Sequence, residues 1–180
     1  MDSELYGFLE KEREKTELAV IADYNDKTRE RFALSLSEEE AKQLIVSRNA
    51  SLKKYHRVEF GRGILDKLIY TFCDSQYICQ NNYSETLIKL QDIFYEYKNE
   101  VQDKVTDDEL LMFMKEQFEG VCYGDVEYLE GTCLKRFAQN VRMGYRGYEK
   151  SGGKAEYETL SEEKRWDDEL YYSVLEELFW

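Results

Sequence analysis

The sequence predicts an all-α fold, a helical bundle of about six to seven helices around a central helix at about 83–101. Three observations predict it. Proline lacks a backbone N–H and clashes with the preceding turn, so helix interiors exclude it, and none occurs in the 180 residues. Apolar residues recur at steps of three and four through most of the chain. The strongest such stretch is Tyr83, Leu87, Leu90, Phe94, Tyr97 and Val101, widened by Ile88 and Ile93. An apolar arc of that width marks a core helix.

The other elements follow in order. Ser3 to Lys15 reads as a first helix with Leu5, Phe8 and Leu9 on one side. Leu18 to Tyr24 continues it, as helix or as a short strand, and Asn25–Asp26 reads as the start of a polar break. Phe32, Leu34 and Leu36 alternate with Ala33 and Ser35, the period of a brief extended approach to the next helix. Ser37 with Glu40 forms a capping box, and Glu38 and Glu39 complement the positive helix end. Ala41, Leu44, Ile45, Leu52 and Tyr55 give that helix its apolar side. After the loop from Arg57 to Gly63, the pairs Ile64/Leu65, Leu68/Ile69 and Phe72/Cys73 repeat every four residues and mark a buried stripe. Asp74–Ser75 ends this helix or caps a short turn, and Asn81 or Asn82 is expected to cap the central one.

Thr106 with Glu109 repeats the capping-box pattern ahead of Leu110, Leu111, Met114 and Phe118, and Gly120 stands at a C-terminal cap position. Val126, Leu129, Cys133, Phe137 and Val141 space a further helix, weakened by Gly131. Four glycines between Gly144 and Gly153, without periodicity, predict a linker over 144–160. A last helix over 161–180 is then capped by Ser161. The domain organisation read from this is a helical domain over 1–143, the linker, and a C-terminal helix docking on the domain or on a second copy.

Composition narrows the function. Lys and Arg number 25 against 38 Asp and Glu, a net charge of −13, which opposes general attraction to nucleic acid or to anionic membranes. No stretch approaches the length of a membrane span. The opening MDSELYGFLEKEREK lacks a basic start followed by an apolar run, so no secretory signal is expected there. The four cysteines, Cys73, Cys79, Cys122 and Cys133, match no zinc or redox spacing and read as reduced, mostly buried packing residues. A cytoplasmic location fits that usage. With His56 the single histidine, two-histidine metal sites cannot form within one chain. No metal, cofactor or catalytic residue is predicted.

Three candidate surfaces remain. The first is the loop Arg57, Gly61, Arg62 and Gly63, which feeds a helix start and could hold a small anion. The competing reading is a tight turn that needs positive φ at glycine. The second comprises Trp166, Leu170, Val174, Leu178, Phe179 and Trp180, an apolar end that must dock on this chain, on a second copy or on a protein partner. The third is basic: residues 48–67 carry a net +4 and residues 135–154 a net +5, with Tyr145, Arg146 and Tyr148 interleaved as in some nucleic-acid binders. Against that stand the field of the whole chain and ordinary pairing with neighbouring carboxylates. The leading expectation is a non-catalytic binding or regulatory module.

The segment RVEFGRGILDKLIYTFCDSQYICQNNYSETLIKLQDIFYEYKNEV, with LSLSEEEAKQLIVSRNASLK before it and DDELLMFMKEQFEG after it, resembles an uncharacterised bacterial family, a domain of unknown function from Gram-positive anaerobes. The resemblance covers about residues 17–142. It implies a small cytoplasmic helical protein and carries no assigned activity or catalytic residue.

Overall fold

The structure, a computed structural model, describes residues 2–59 and 63–144. Among them every regular element is helical: α1 (Asp2–Phe32), α2 (Glu38–Lys54), α3 (Leu65–Phe72), α4 (Tyr83–Glu100), α5 (Asp107–Glu119), α6 (Val126–Tyr128), a π-helical stretch (Leu129–Leu134) and α7 (Lys135–Arg142). The last three are contiguous. None of the described helices is long and apolar enough to cross a membrane. The expected linker and last helix lie outside the described residues. The chain divides into two compact units, Met1–Tyr95 and Glu96–Trp180.

In the first unit, α1 packs against α2 and α3. Helix α1 runs without interruption through Asn25–Asp26, where the sequence reading placed a polar break. The reason is the use made of Asn25. Its amide both donates to the Leu36 carbonyl and accepts from the Leu36 N–H, each at 2.8 Å. Gln80 does the same for Ser35, again at 2.8 Å both ways. Of the expected extended stretch, Phe32 is still helical and Ala33 turns left-handed at φ 56°; over Leu34–Leu36 two amide side chains satisfy the backbone as a neighbouring strand would. The buried face of α1 is Glu17, Ile21, Tyr24 and Thr28. Leu5, Phe8 and Leu9, expected to be its apolar side, are more than half exposed.

Helix α2 begins as expected. Ser37 accepts from the Glu40 N–H and Glu40 accepts from the Ser37 N–H. It ends in a Schellman turn: Arg57 N–H reaches Leu52 O at 2.8 Å, His56 N–H reaches Lys53 O at 3.3 Å, and His56 takes the left-handed conformation at φ 55°. The stripe of α3 is buried from Ile64 to Cys73. Asn82 precedes α4, but its side chain turns back, accepting from Cys79 N–H and donating to Tyr77 O. Of the expected α4 stripe, Tyr83, Leu87, Leu90, Ile93, Phe94, Tyr97 and Val101 are buried and Ile88 is half-buried. Burial pushes the Tyr83 phenol far above its ordinary pKa.

In the second unit, the buried Lys98 ammonium closes the turn after α4 by donating to Val105 O at 2.6 Å and pairing with Asp107 at 2.8 Å. Thr106 caps α5, whose Leu110, Leu111, Met114 and Phe118 are buried as expected. Gly120 does stand at the C-cap, but at φ −88°, ψ −103°; the left-handed residues of that turn are Tyr123 and Gly124. Over residues 126–142 the buried positions are Leu129, Leu134, Phe137, Ala138 and Val141. The step of five from Leu129 to Leu134 is the π-helical repeat. It places Leu134 in the core where a uniform α-helix would have placed Cys133, which is only half-buried. Phe137 stacks on Phe113 with ring centroids 4.1 Å apart.

Candidate functional site

The first unit buries a set of charges. Arg48, midway along α2, is 1% exposed. Its Nη2 reaches both oxygens of Glu17 on α1, at 2.7 and 2.8 Å, and also donates to Asn49 Oδ1 at 3.0 Å. Arg13, one turn before Glu17, donates its Nε–H to the same carboxylate at 2.9 Å. On its other side Arg48 Nη1 lies 4.0 Å from Glu59 Oε1, in the loop after α2. Tyr95 of α4 donates its hydroxyl to the other Glu59 oxygen. Two guanidiniums and two carboxylates thus balance locally, Arg48 and the two carboxylates kept from water and Arg13 partly exposed at the edge. Beside them a second polar layer joins α2 to α4: Asp92 accepts from Ser51 at 2.8 Å and Tyr55 at 3.0 Å, and Gln91 donates to Leu44 O.

Gly63 makes the Glu59 position possible. It sits at φ +63°, and a Cβ there would stand 1.8 Å from Glu59 Oε1. The positive φ is the tight-turn requirement read from the sequence. The room left for a carboxylate was not legible there.

Next to this set, α1 and the start of α3 enclose a cleft of about 310 Å³ lined by Arg13, Thr16, Glu17, Val20, Ile21, Leu65 and Asp66. Val20, Ile21 and Leu65 supply apolar wall. Arg13 and Glu17 are already bonded to each other, and Asp66 accepts from Lys67 N–H at the first turn of α3.

Of the loop residues singled out in the sequence, Arg57 sits half-buried in the turn that closes α2 and Gly63 seats Glu59; Gly61 and Arg62 lie outside the described residues. So do Trp166, Leu170, Val174, Leu178, Phe179 and Trp180, and Tyr145, Arg146 and Tyr148 of the basic segment. Arg48 was counted in a basic surface, yet it is buried against Glu17. Arg142, counted in the other, pairs with Glu100 at 2.7 Å. Among the described residues no group of three or more His, Cys, Asp or Glu side chains is arranged around a metal position.

Sequence reasoning missed Arg13, Glu17 and the cleft. The signal was there as Glu17, Ile21, Tyr24 and Thr28, a helical stripe at steps of four, three and four. Two polar members hid it from a search for apolar periodicity.

Over residues 20–147 the chain matches a family of unknown function, and it belongs to that family. The family is DUF6323. No curated protein matches the chain, and no solved structure does.

Proposed function

We propose that the protein is a non-catalytic binding module whose ligand is a small molecule held in the cleft between α1 and α3. The observation that carries this is the cleft itself: about 310 Å³, apolar on one part and polar on another. That volume lies at the lower end of small-molecule sites, which are mostly apolar with a few placed polar groups. The balanced charges of Arg48, Glu17 and Glu59 beside it fix the geometry of its polar part. Arg13 and Glu17 neutralise each other, and Val20, Ile21 and Leu65 ask for an apolar body, so the ligand is an apolar body with a neutral polar head.

Thermal-shift screening of the full chain tests this, with neutral amphiphiles in one set and phosphate, nucleotides and carboxylates in another. A compound at a hundred times its Kd adds about 2.7 kcal/mol to stability. The expected hit comes from the first set and is lost in Val20→Trp, which fills the cleft. A hit from the second set that is lost in Arg62→Ala would move the site to the Arg57–Gly63 loop. Shifts that survive Val20→Trp, or none at all, overturn the cleft as the site.

A further inference from the structure

Two thiols of the second unit face each other. Cys122 is buried in the turn after α5, Cys133 is half-buried in the π-helical stretch, and their sulfurs are 3.6 Å apart. The other two cysteines, Cys73 and Cys79, belong to the first unit. Cys73 is buried with its thiol donating to Tyr70 O, and Cys79 is exposed. We propose that Cys122 and Cys133 form a site of reversible oxidation, closing to an intrachain disulfide under a hydroperoxide.

The geometry orders the steps. Cys133 is the sulfur a peroxide reaches first, because the π-helical register turns it out of the core. As thiolate it attacks one peroxide oxygen, the O–O bond breaks, and Cys133 becomes a sulfenic acid while the departing oxygen takes up the proton released from the thiol. The Cys122 sulfur then attacks the Cys133 sulfur, the S–O bond breaks, and hydroxide leaves as water with the Cys122 proton. In sum two thiols lose two electrons and two protons, and one hydrogen peroxide becomes two waters. The sulfurs must close from 3.6 Å to about 2.0 Å. Burial and the contact with Cys133 push the Cys122 thiol up to about 12. It therefore stays protonated and inert toward peroxide until Cys133 has been oxidised.

The test uses the full chain and hydrogen peroxide. Both cysteines fall in one tryptic peptide, Glu116–Lys135, since no Lys or Arg lies between them. Expected after exposure is a fall in denatured thiol count from four to two, loss of two hydrogens from that peptide, and recovery of both with a reductant. Cleavage after Glu130 should leave two fragments joined until reduced. In Cys122→Ser, Cys133 should be trapped by dimedone as the sulfenic acid; in Cys133→Ser, Cys122 should stay unmodified. The proposal is overturned if the peptide keeps both hydrogens while Cys79 oxidises, or if the disulfide found involves Cys73 or Cys79. Should either serine variant fail to fold, the peptide map of the unaltered chain still decides.

Discussion

Replacing Glu17 with Gln tests how the first unit is held together. The side chain keeps its shape and one carbonyl acceptor but loses its charge. Arg48, 1% exposed, is then left with the Glu59 carboxylate at 4.0 Å as its remaining counter-charge. Removing one partner of a buried ion pair costs about 3–5 kcal/mol, because the other charge stays buried and uncompensated. Glu59 and the retained acceptor reduce this, so a loss of about 2–4 kcal/mol is expected. Arg48→Met should cost less, since Glu17 keeps Arg13, whose side chain is 45% exposed. Combining the two should recover about 1–3 kcal/mol relative to the sum of the singles, the coupling of groups in direct contact. Urea unfolding followed by far-ultraviolet circular dichroism measures the losses. Hydrogen exchange on peptides from α1 and α2 assigns them to the first unit. A Glu17→Gln cost below about 1 kcal/mol, or additivity within about 0.5 kcal/mol, would refute the claim that this pair is buried and coupled.

Other expectations follow from the same contacts. Gly63→Ala should lose about 2–4 kcal/mol, combining left-handed strain with displacement of Glu59 from Arg48 and Tyr95. Gly144→Ala, at φ +90° with nothing within 4 Å of a new Cβ, should lose only about 1 kcal/mol; equal losses would mean Gly63 does not seat Glu59. Tyr97 donates its hydroxyl to Glu130 O, and burial, then the nearby Glu96, Glu130 and Glu100 carboxylates, push its pKa up to about 12. Because the folded state holds this proton more tightly than the unfolded state, the stability it contributes is present below pH 10 and lost as pH rises toward about 12. Tyr97→Phe should flatten that part of the stability profile in alkaline titration. An unchanged slope would place the loss on other groups.

The fold was legible where one face of an element is uniformly apolar. The stripes of α3, α4 and α5, and the caps at Ser37 and Thr106, stand in the structure as the sequence implies, because periodicity and capping are local physics. Three features escaped because a polar residue does structural work at a distance. Asn25 looked like a break, yet it pairs with a backbone eleven residues away. Glu17 carried no signal of its own in the sequence, yet it meets Arg48 thirty-one residues on. Gly63 looked like a turn glycine, yet it also makes room for a carboxylate. Nothing within a short window marks such pairings. Of the candidate site, the chain around Arg57–Gly63 was legible as a special turn, but the cleft on α1 beside it was not. The extra residue in the last described helix was invisible for a different reason: Val126, Leu129, Cys133, Phe137 and Val141 already fit an unbroken α-helix, so no irregularity asked for a second register.

The π-helical stretch absorbs that surplus residue. Were the stretch wound as α-helix with its residues unchanged, at about 100° per residue, Cys133 would come to the core position that Leu134 now fills and Phe137 would swing off Phe113. Deleting one residue between Leu129 and Leu134, Gly131 for instance, has the opposite effect: Leu134 then stands four residues after Leu129, the α-helical repeat, and Leu134, Phe137 and Val141 keep their core face. A chain shorter by one residue here therefore keeps α7 on Phe113 and differs only in the winding of one turn.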